Sequence, residues 1–233
     1  GSTGTNWKLH YALEIPSLSC LHFQLTDPSG GENLSRFPLG EGDLVLGDRA
    51  YAYLPSIRSA LAKKAQVLVR MKLSNKGFYR PGEEEPFDFL AAADGLREGE
   101  KAEWDGVLRV GKDPGVEGRV CLLRRGDEVT EMARHKILAE ARKKKRKVRE
   151  RTLKAAAYFG LFCTVPASVL PLDDLFEIYR FRWQIELAFK RLKSVVSLGH
   201  LPKRDPTSCR AWLYGKLLIG LLIDKMVRTP FFP

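Results

Sequence analysis

The chain of 233 residues is 44% hydrophobic and carries a formal net charge of +11, with a pI near 9.6. A chain of this size buries a substantial core and reads as one domain, or one domain with an insertion. Its surplus of Lys and Arg favours a polyanionic partner, either nucleic acid or an anionic membrane surface, and the longest apolar run, "LLIGLLI" at 217–223, is far short of the roughly 20 residues that a bilayer span needs.

In chain order, "GSTGTNWKLHYAL" starts without Met and reads as an internal fragment with no signal-peptide pattern. Trp7, Leu9, Tyr11 and Leu13 alternate with Lys8, His10 and Ala12, and "LSCLHFQLTD" follows after "PSLS". These spacings predict an antiparallel hairpin with one buried face, in which His10 and His22 are ordinary strand histidines. A Gly-rich stretch from Pro28 to Gly42 holds one short helical segment, "ENLSRF". "DLVLG" is then a short buried strand with Asp48 at its carboxyl end, the end where ligand chemistry gathers in open α/β sheets. Taken alone, Asp48 reads first as a capping or turn residue at the start of a helix, and as a ligand only second. Tyr53, Ile57 and Leu61 at spacings of four predict a helix, and "QVLVRM" another buried strand.

From Ser74 to about Val129, "RPGEEEP", "ADGLREGEKAEWDG" and "GKDPGVEG" punctuate short apolar runs, the pattern of a β-rich insertion whose acids, Glu83 to Glu85 in particular, are solvated turn residues. The run from Arg142 to Lys154 is helix-compatible and densely cationic; it reads either as a solvated face or as a contact for a phosphate backbone. "YFGLFCTV" is a further buried strand ending at Pro166. Cys20, Cys121, Cys163 and Cys209 form no CxxC pair and have no His at zinc-ligand spacing, which predicts reduced, buried thiols in a cytoplasmic protein.

After Pro171, with Asp173 or Asp174 as a cap, the spacing predicts one continuous helix to Val196, stopped by Gly199. Ile178, Phe181, Ile185, Ala188, Phe189, Leu192 and Val196 collect on its apolar face, which packs on the sheet. Tyr179, Arg182, Glu186 and Lys193 form a narrow stripe at the border of that face. An ionised Glu186 beside buried surface needs a cation, a hydrogen-bond partner or a metal. On spacing alone, an i,i+4 ion pair with Arg182 satisfies it equally well.

The pattern Tyr179, Arg182, Glu186, Lys193, with Trp183 directly after the Arg, resembles the signature around the catalytic Glu of DDE transposases of the insertion sequence four family. "RWQIELAFKRLKS" resembles the family throughout, and "GDRAY" resembles its second-Asp region. The likeness covers most of the chain and is least specific in the charged insertion. It implies an α/β fold with an RNase H-like mixed sheet and flanking helices, in which residues 1–73 and 156–233 form the core and 74–155 the β-rich insertion with the basic segment. It also implies metal-dependent cleavage and transfer of DNA strands at the ends of a mobile element, with Asp48 and Glu186 as catalytic ligands of Mg²⁺ or Mn²⁺. Tyr179, Arg182 and Lys193, with Lys190 and Arg191 beside them, would be the contacts to double-stranded DNA at the element's ends and target. A homodimer in a synaptic complex and a bacterial, nucleoid-associated location are compatible with this reading. The family's triad needs one more Asp, expected upstream of Gly1; Asp27 and Asp43 do not stand at the matching place. The fragment alone is therefore expected to be inactive. The alternative is a DNA-binding remnant, decayed or domesticated, without catalysis, and a weaker third reading is a structural chain with an accidental basic surface.

Overall fold

The computed structural model describes residues 7–73, 77–111, 113–198 and 205–228. The expected fragment-like opening at 1–6, the first residues of the insertion at 74–76 and the stop at Gly199 lie outside them. The described residues divide into two compact units, one drawn from Gly1–Glu32, Arg36–Pro38 and Arg180–Pro233, the other from Asn33–Ser35 and Leu39–Tyr179.

In the first unit, β1 (Lys8–Leu13) and β2 (Cys20–Thr26) pair antiparallel with Tyr11 opposite Phe23. The expected alternation places Trp7, Leu9 and Tyr11 on one face, where they join Leu25, Leu192, Leu213 and Leu217 in a small core. His10 is buried, and its ring bonds Thr26 Oγ1 at 2.9 Å, so it is a satisfied strand histidine.

The second unit is built on a six-stranded mixed sheet. Its strands are β3 (Leu44–Gly47), β4 (Gln66–Arg70), β5 (Phe78–Tyr79), β6 (Lys101–Leu108), β7 (Val116–Arg124) and β8 (Tyr158–Cys163), in the spatial order β3-β4-β8-β7-β6-β5. Only β3 and β4 are parallel; the other neighbours run antiparallel. Val67, Leu68 and Val69 are fully buried, as a strand covered on both faces requires. The strands of the insertion do not form a separate sheet; they extend this one.

Helix α1 (Leu54–Leu61) buries Leu54, Ile57 and Ala60. The expected face of Tyr53, Ile57 and Leu61 is thus rotated: Tyr53 precedes the helix in extended conformation, and Pro55 sets the first turn. After α2 (Phe89–Ala92), helix α3 (Asp127–Lys143) is closed beyond its C-cap Lys144 by Lys145, whose φ of 49° is left-handed. The Arg146 N–H returns to the Ala141 carbonyl, a Schellman-type closure. The basic run from Arg142 to Lys154 is therefore not one helix: it passes from the end of α3 through a turn into α4 (Glu150–Ala155).

The helix expected from 173 to 196 is also two helices, α5 (Leu172–Arg180) and α6 (Trp183–Val195). At the junction Gln184 N–H bonds Phe181 O and Ile185 N–H bonds Arg182 O, the tight i,i+3 pattern that breaks the α-helical phase. Phe181, expected on the buried face, is consequently half exposed. Helix α7 (Pro206–Arg228) completes the first unit, and among the described residues no helix is long and apolar enough to cross a membrane.

Candidate active site

Asp48 directly follows β3, and its exposed carboxylate accepts the Ala50 N–H at 2.8 Å, capping a short 3-10 turn at 49–51. The capping reading thus holds, and the same carboxylate stands at the strand end. Gly47 before it has no room for a larger residue: a Cβ there would lie 2.9 Å from Val69 Cγ1 and 3.2 Å from Tyr51 Cβ. The buried Gly47 carbonyl accepts the Tyr179 hydroxyl at 2.9 Å. That bond fixes the end of β3 against α5, one residue from the carboxylate.

Arg49 follows Asp48 in sequence, and Arg70 follows Val69, the strand partner of Gly47. The guanidiniums of Arg70 and Arg125 lie 5.1 and 5.7 Å from the centroid of one ring, Phe159. Burial first, and then the charges of Arg70 and Arg49, hold the Arg125 guanidinium below the ordinary arginine value. Crowded like charges give this end of the sheet a positive potential suited to a phosphate group.

Glu186 stands in the first turn of α6, where the helix dipole favours a carboxylate. Its Oε1 accepts from Arg182 Nη2 at 2.6 Å, with the Glu side chain 44% exposed and the Arg 23%. Arg182, Glu186, Lys190 and Lys193 follow one another at near-helical spacings, and the side chains of Glu186, Lys190 and Lys193 are exposed. Arg191 is exposed off that stripe and lines an apolar recess with Tyr11 and Leu192.

Tyr179 does not share this stripe, because the break at 181–182 puts it on α5. It is 6% exposed and packs tilted against Phe159 at 5.7 Å. Its expected contact with DNA and its observed bond to Gly47 make different demands on the same hydroxyl. Asp48 belongs to the second unit and Glu186 to the first.

As oxygen donors, two exposed carboxylates suit a hard divalent cation such as Mg²⁺, which keeps waters and substrate oxygens among its ligands. Among the described residues, however, no group of three or more His, Cys, Asp or Glu side chains is arranged to hold a metal ion.

Sequence reasoning missed two features. Arg119, 1% exposed, donates to the carbonyls of Val165 at 3.0 Å and of Leu170, and pairs with Glu103. Only an isolated Arg within an apolar strand pattern hinted at it. Lys72 and Arg109 converge with the Lys144–Arg149 turn around one cleft, and their separation along the chain hid that.

The six-stranded mixed sheet with flanking helices is an RNase H-like α/β fold of the DDE kind. The family described as "Transposase DDE domain" matches residues 30–222, and the chain belongs to it. Among its relatives is the putative transposase InsL for insertion sequence element IS186A of Escherichia coli (strain K12), 30% identical over 98% of this chain and 63% of the relative. The transposase for insertion sequence element IS421 of Escherichia coli is also 30% identical, over 98% of this chain and 62% of its own length. That for IS1151 of Clostridium perfringens is 24% identical over 61% of this chain and 30% of its own length. The chain is thus a transposase DDE domain of the insertion sequence four type, homologous to insertion-sequence transposases, and it spans about 63% of the length of the first of these relatives.

Proposed function

We propose that the chain contributes the catalytic part of a transposase that cuts and joins double-stranded DNA at the ends of an insertion sequence, with Asp48 and Glu186 as ligands of Mg²⁺ or Mn²⁺. The observation that carries this reading is the placement of Asp48: an exposed carboxylate at the carboxyl end of the parallel strand pair, next to a Gly47 carbonyl held by the Tyr179 hydroxyl, and followed by Arg49. A bound divalent ion would activate the attacking oxygen and stabilise the leaving oxygen in an in-line displacement at phosphorus.

The chain's own groups have distinct tasks in that step. Arg182 holds Glu186 in place and must yield Oε1 when the carboxylate turns to an ion; its guanidinium is then available to a phosphate oxygen. Lys190 and Lys193 hold the backbone of the duplex along the exposed side of α6, with Arg191 beside them, and such contacts position DNA without reading its sequence. In this reading the reaction requires a third carboxylate besides Asp48 and Glu186. Residues 1–73 and 156–233 supply the core, and 74–155 the insertion that enlarges its sheet. Two copies in a synaptic complex would bring two element ends together.

The test is metal-dependent nicking of DNA carrying the element's ends by the protein encoded in the full reading frame. Asp48→Asn and Glu186→Gln each abolish nicking and leave DNA affinity unchanged. Retained nicking in both variants refutes the site.

A second reading, a DNA-binding remnant without catalysis, is favoured by the occupied state of Glu186 Oε1, which an ordinary i,i+4 ion pair explains. It requires DNA binding with steep salt dependence and no cutting under any divalent ion.

A further inference from the structure

The second unit contains a cleft of about 1340 Å³ that the assignments above do not use. One side of it is the turn between α3 and α4, which presents Lys144, Arg146, Lys147 and Arg149; Lys72 and Arg109 face them from the end of β4 and from the β6–β7 connection. Glu140 is the one carboxylate among the described residues lining it. Ala52, Tyr53 and Leu54 close another side, so the cleft reaches the segment just after the Asp48 turn.

The fold holds these cations together against their repulsion. The left-handed Lys145 ends α3 and turns the chain, so that Lys144, Arg146 and Lys147 project from a turn instead of spreading around a helix. Arg109 lies 3.7 Å over the Tyr79 ring centroid and donates to the Glu84 carbonyl at 3.2 Å, which fixes its guanidinium. Arg151 is already neutralised by Asp88, at 2.6 and 2.7 Å, and belongs to the wall. The ion pairs of the described residues leave Lys72, Lys144, Arg146, Lys147 and Arg149 without a carboxylate. Cations at this density call for an external polyanion.

We propose that this cleft is a second DNA-binding site, which grips the phosphate backbone of a duplex and leads it toward the Asp48 end of the sheet. Backbone contact follows from the lining, in which Lys72, Arg109, Lys144, Arg146, Lys147 and Arg149 outnumber the two tyrosines, Tyr53 and Tyr79, and one face of the Tyr79 ring is covered by Arg109; sites for single strands combine basic grooves with successive aromatic platforms. The proposal rests on the reading of the chain as a DNA-handling domain.

The test measures affinity of the 233-residue chain for a duplex of arbitrary sequence by fluorescence anisotropy, across a salt series from about 50 to 200 mM. One variant carries Lys144→Gln, Arg146→Gln, Lys147→Gln and Arg149→Gln. A matched one carries Lys136→Gln, Arg142→Gln, Lys143→Gln and Lys145→Gln, which remove equal charge from exposed residues outside the cleft. Each phosphate contact contributes about 0.9 to the slope of log K against log salt, so the cleft variant should lose about 3 to 4 of slope and the matched variant less than about 1. Equal losses, or none, overturn the cleft. Should the cleft variant not fold, the four single changes replace it: losses of about 0.9 each support the site, and four unchanged slopes overturn it. A single strand of the same length that binds tighter than the duplex, and loses more in the cleft variant, overturns the duplex assignment. Absence of any DNA affinity in the unaltered chain at low salt fails the DNA-handling reading itself, whereas intact binding with an unchanged slope in the cleft variant fails the cleft alone.

Discussion

Replacing Tyr179 by Phe separates two roles for one hydroxyl. The ring stays, with its 5.7 Å tilted contact to Phe159, so the core around α5 keeps its packing. What goes is the 2.9 Å bond to the Gly47 carbonyl, in a place where Tyr179 is 6% exposed and Gly47 is buried. A typical net hydrogen bond is worth about 1 kcal/mol, and a buried carbonyl left without its donor costs about 1 to 3 kcal/mol, so the expected loss of stability is about 1 to 2 kcal/mol. With a urea m-value of about 1 to 3 kcal/mol/M, the unfolding midpoint falls by roughly 0.3 to 2 M. Tyr179→Ala removes the ring as well and should cost about 3 to 5 kcal/mol, which sets the upper end of the scale. The assay is urea unfolding followed by circular dichroism, paired with DNA affinity on the same preparations. A hydroxyl that serves the fold lowers stability and leaves the affinity of the folded protein unchanged. If stability moves by less than about 0.3 kcal/mol while DNA affinity drops, the hydroxyl meets phosphate and the argument from Gly47 is refuted.

Arg119→Met should destabilise by about 3 to 5 kcal/mol, because it strands two carbonyls and a half-buried carboxylate at once; Glu103→Gln, whose side chain is 28% exposed and which keeps a polar partner for Arg119, should cost clearly less in the same urea titration. Burial first, and then the charges of Arg36 and Lys8, lower the pKa of His10 below its ordinary value. As pH falls, the unfolded chain takes the proton first, so the contribution of neutral His10 is complete above about pH 6.5 and is lost as pH drops below it toward the folded pKa. The stability difference between about pH 8 and pH 5.5 should therefore shrink in His10→Gln, and an unchanged difference would show that His10 is not the group responsible.

The parts of this molecule that could be read from sequence are those where one local pattern meets one environment. "QVLVR" is covered on both faces, so an unbroken apolar run describes it fully, whereas "LVLG", with the same kind of run, lies at the edge of the sheet and is only half-buried up to Gly47. The hairpin β1–β2 has one covered face and therefore alternates. The basic turn was visible as charge, but its conformation was not, since a left-handed Lys145 has no signature comparable to glycine.

The segment from 172 to 195 shows why the site was only partly legible. No Gly or Pro interrupts it, and helix propensity favours continuity, yet it serves two cores. Leu175, Phe176 and Tyr179 pack with Leu68, Leu161 and Cys163, whereas Leu192 packs with Leu25, Leu213 and Leu217. A single helix carries one apolar stripe in one phase, and the tight turns at Phe181 and Arg182 reset that phase between the two demands. The reset turns Tyr179 inward to hold the strand end that bears Asp48, while Glu186, Lys190 and Lys193 remain exposed. Residues that look like one surface motif in the sequence are thus divided by the fold: one secures the position of a carboxylate, and the others remain available to a ligand.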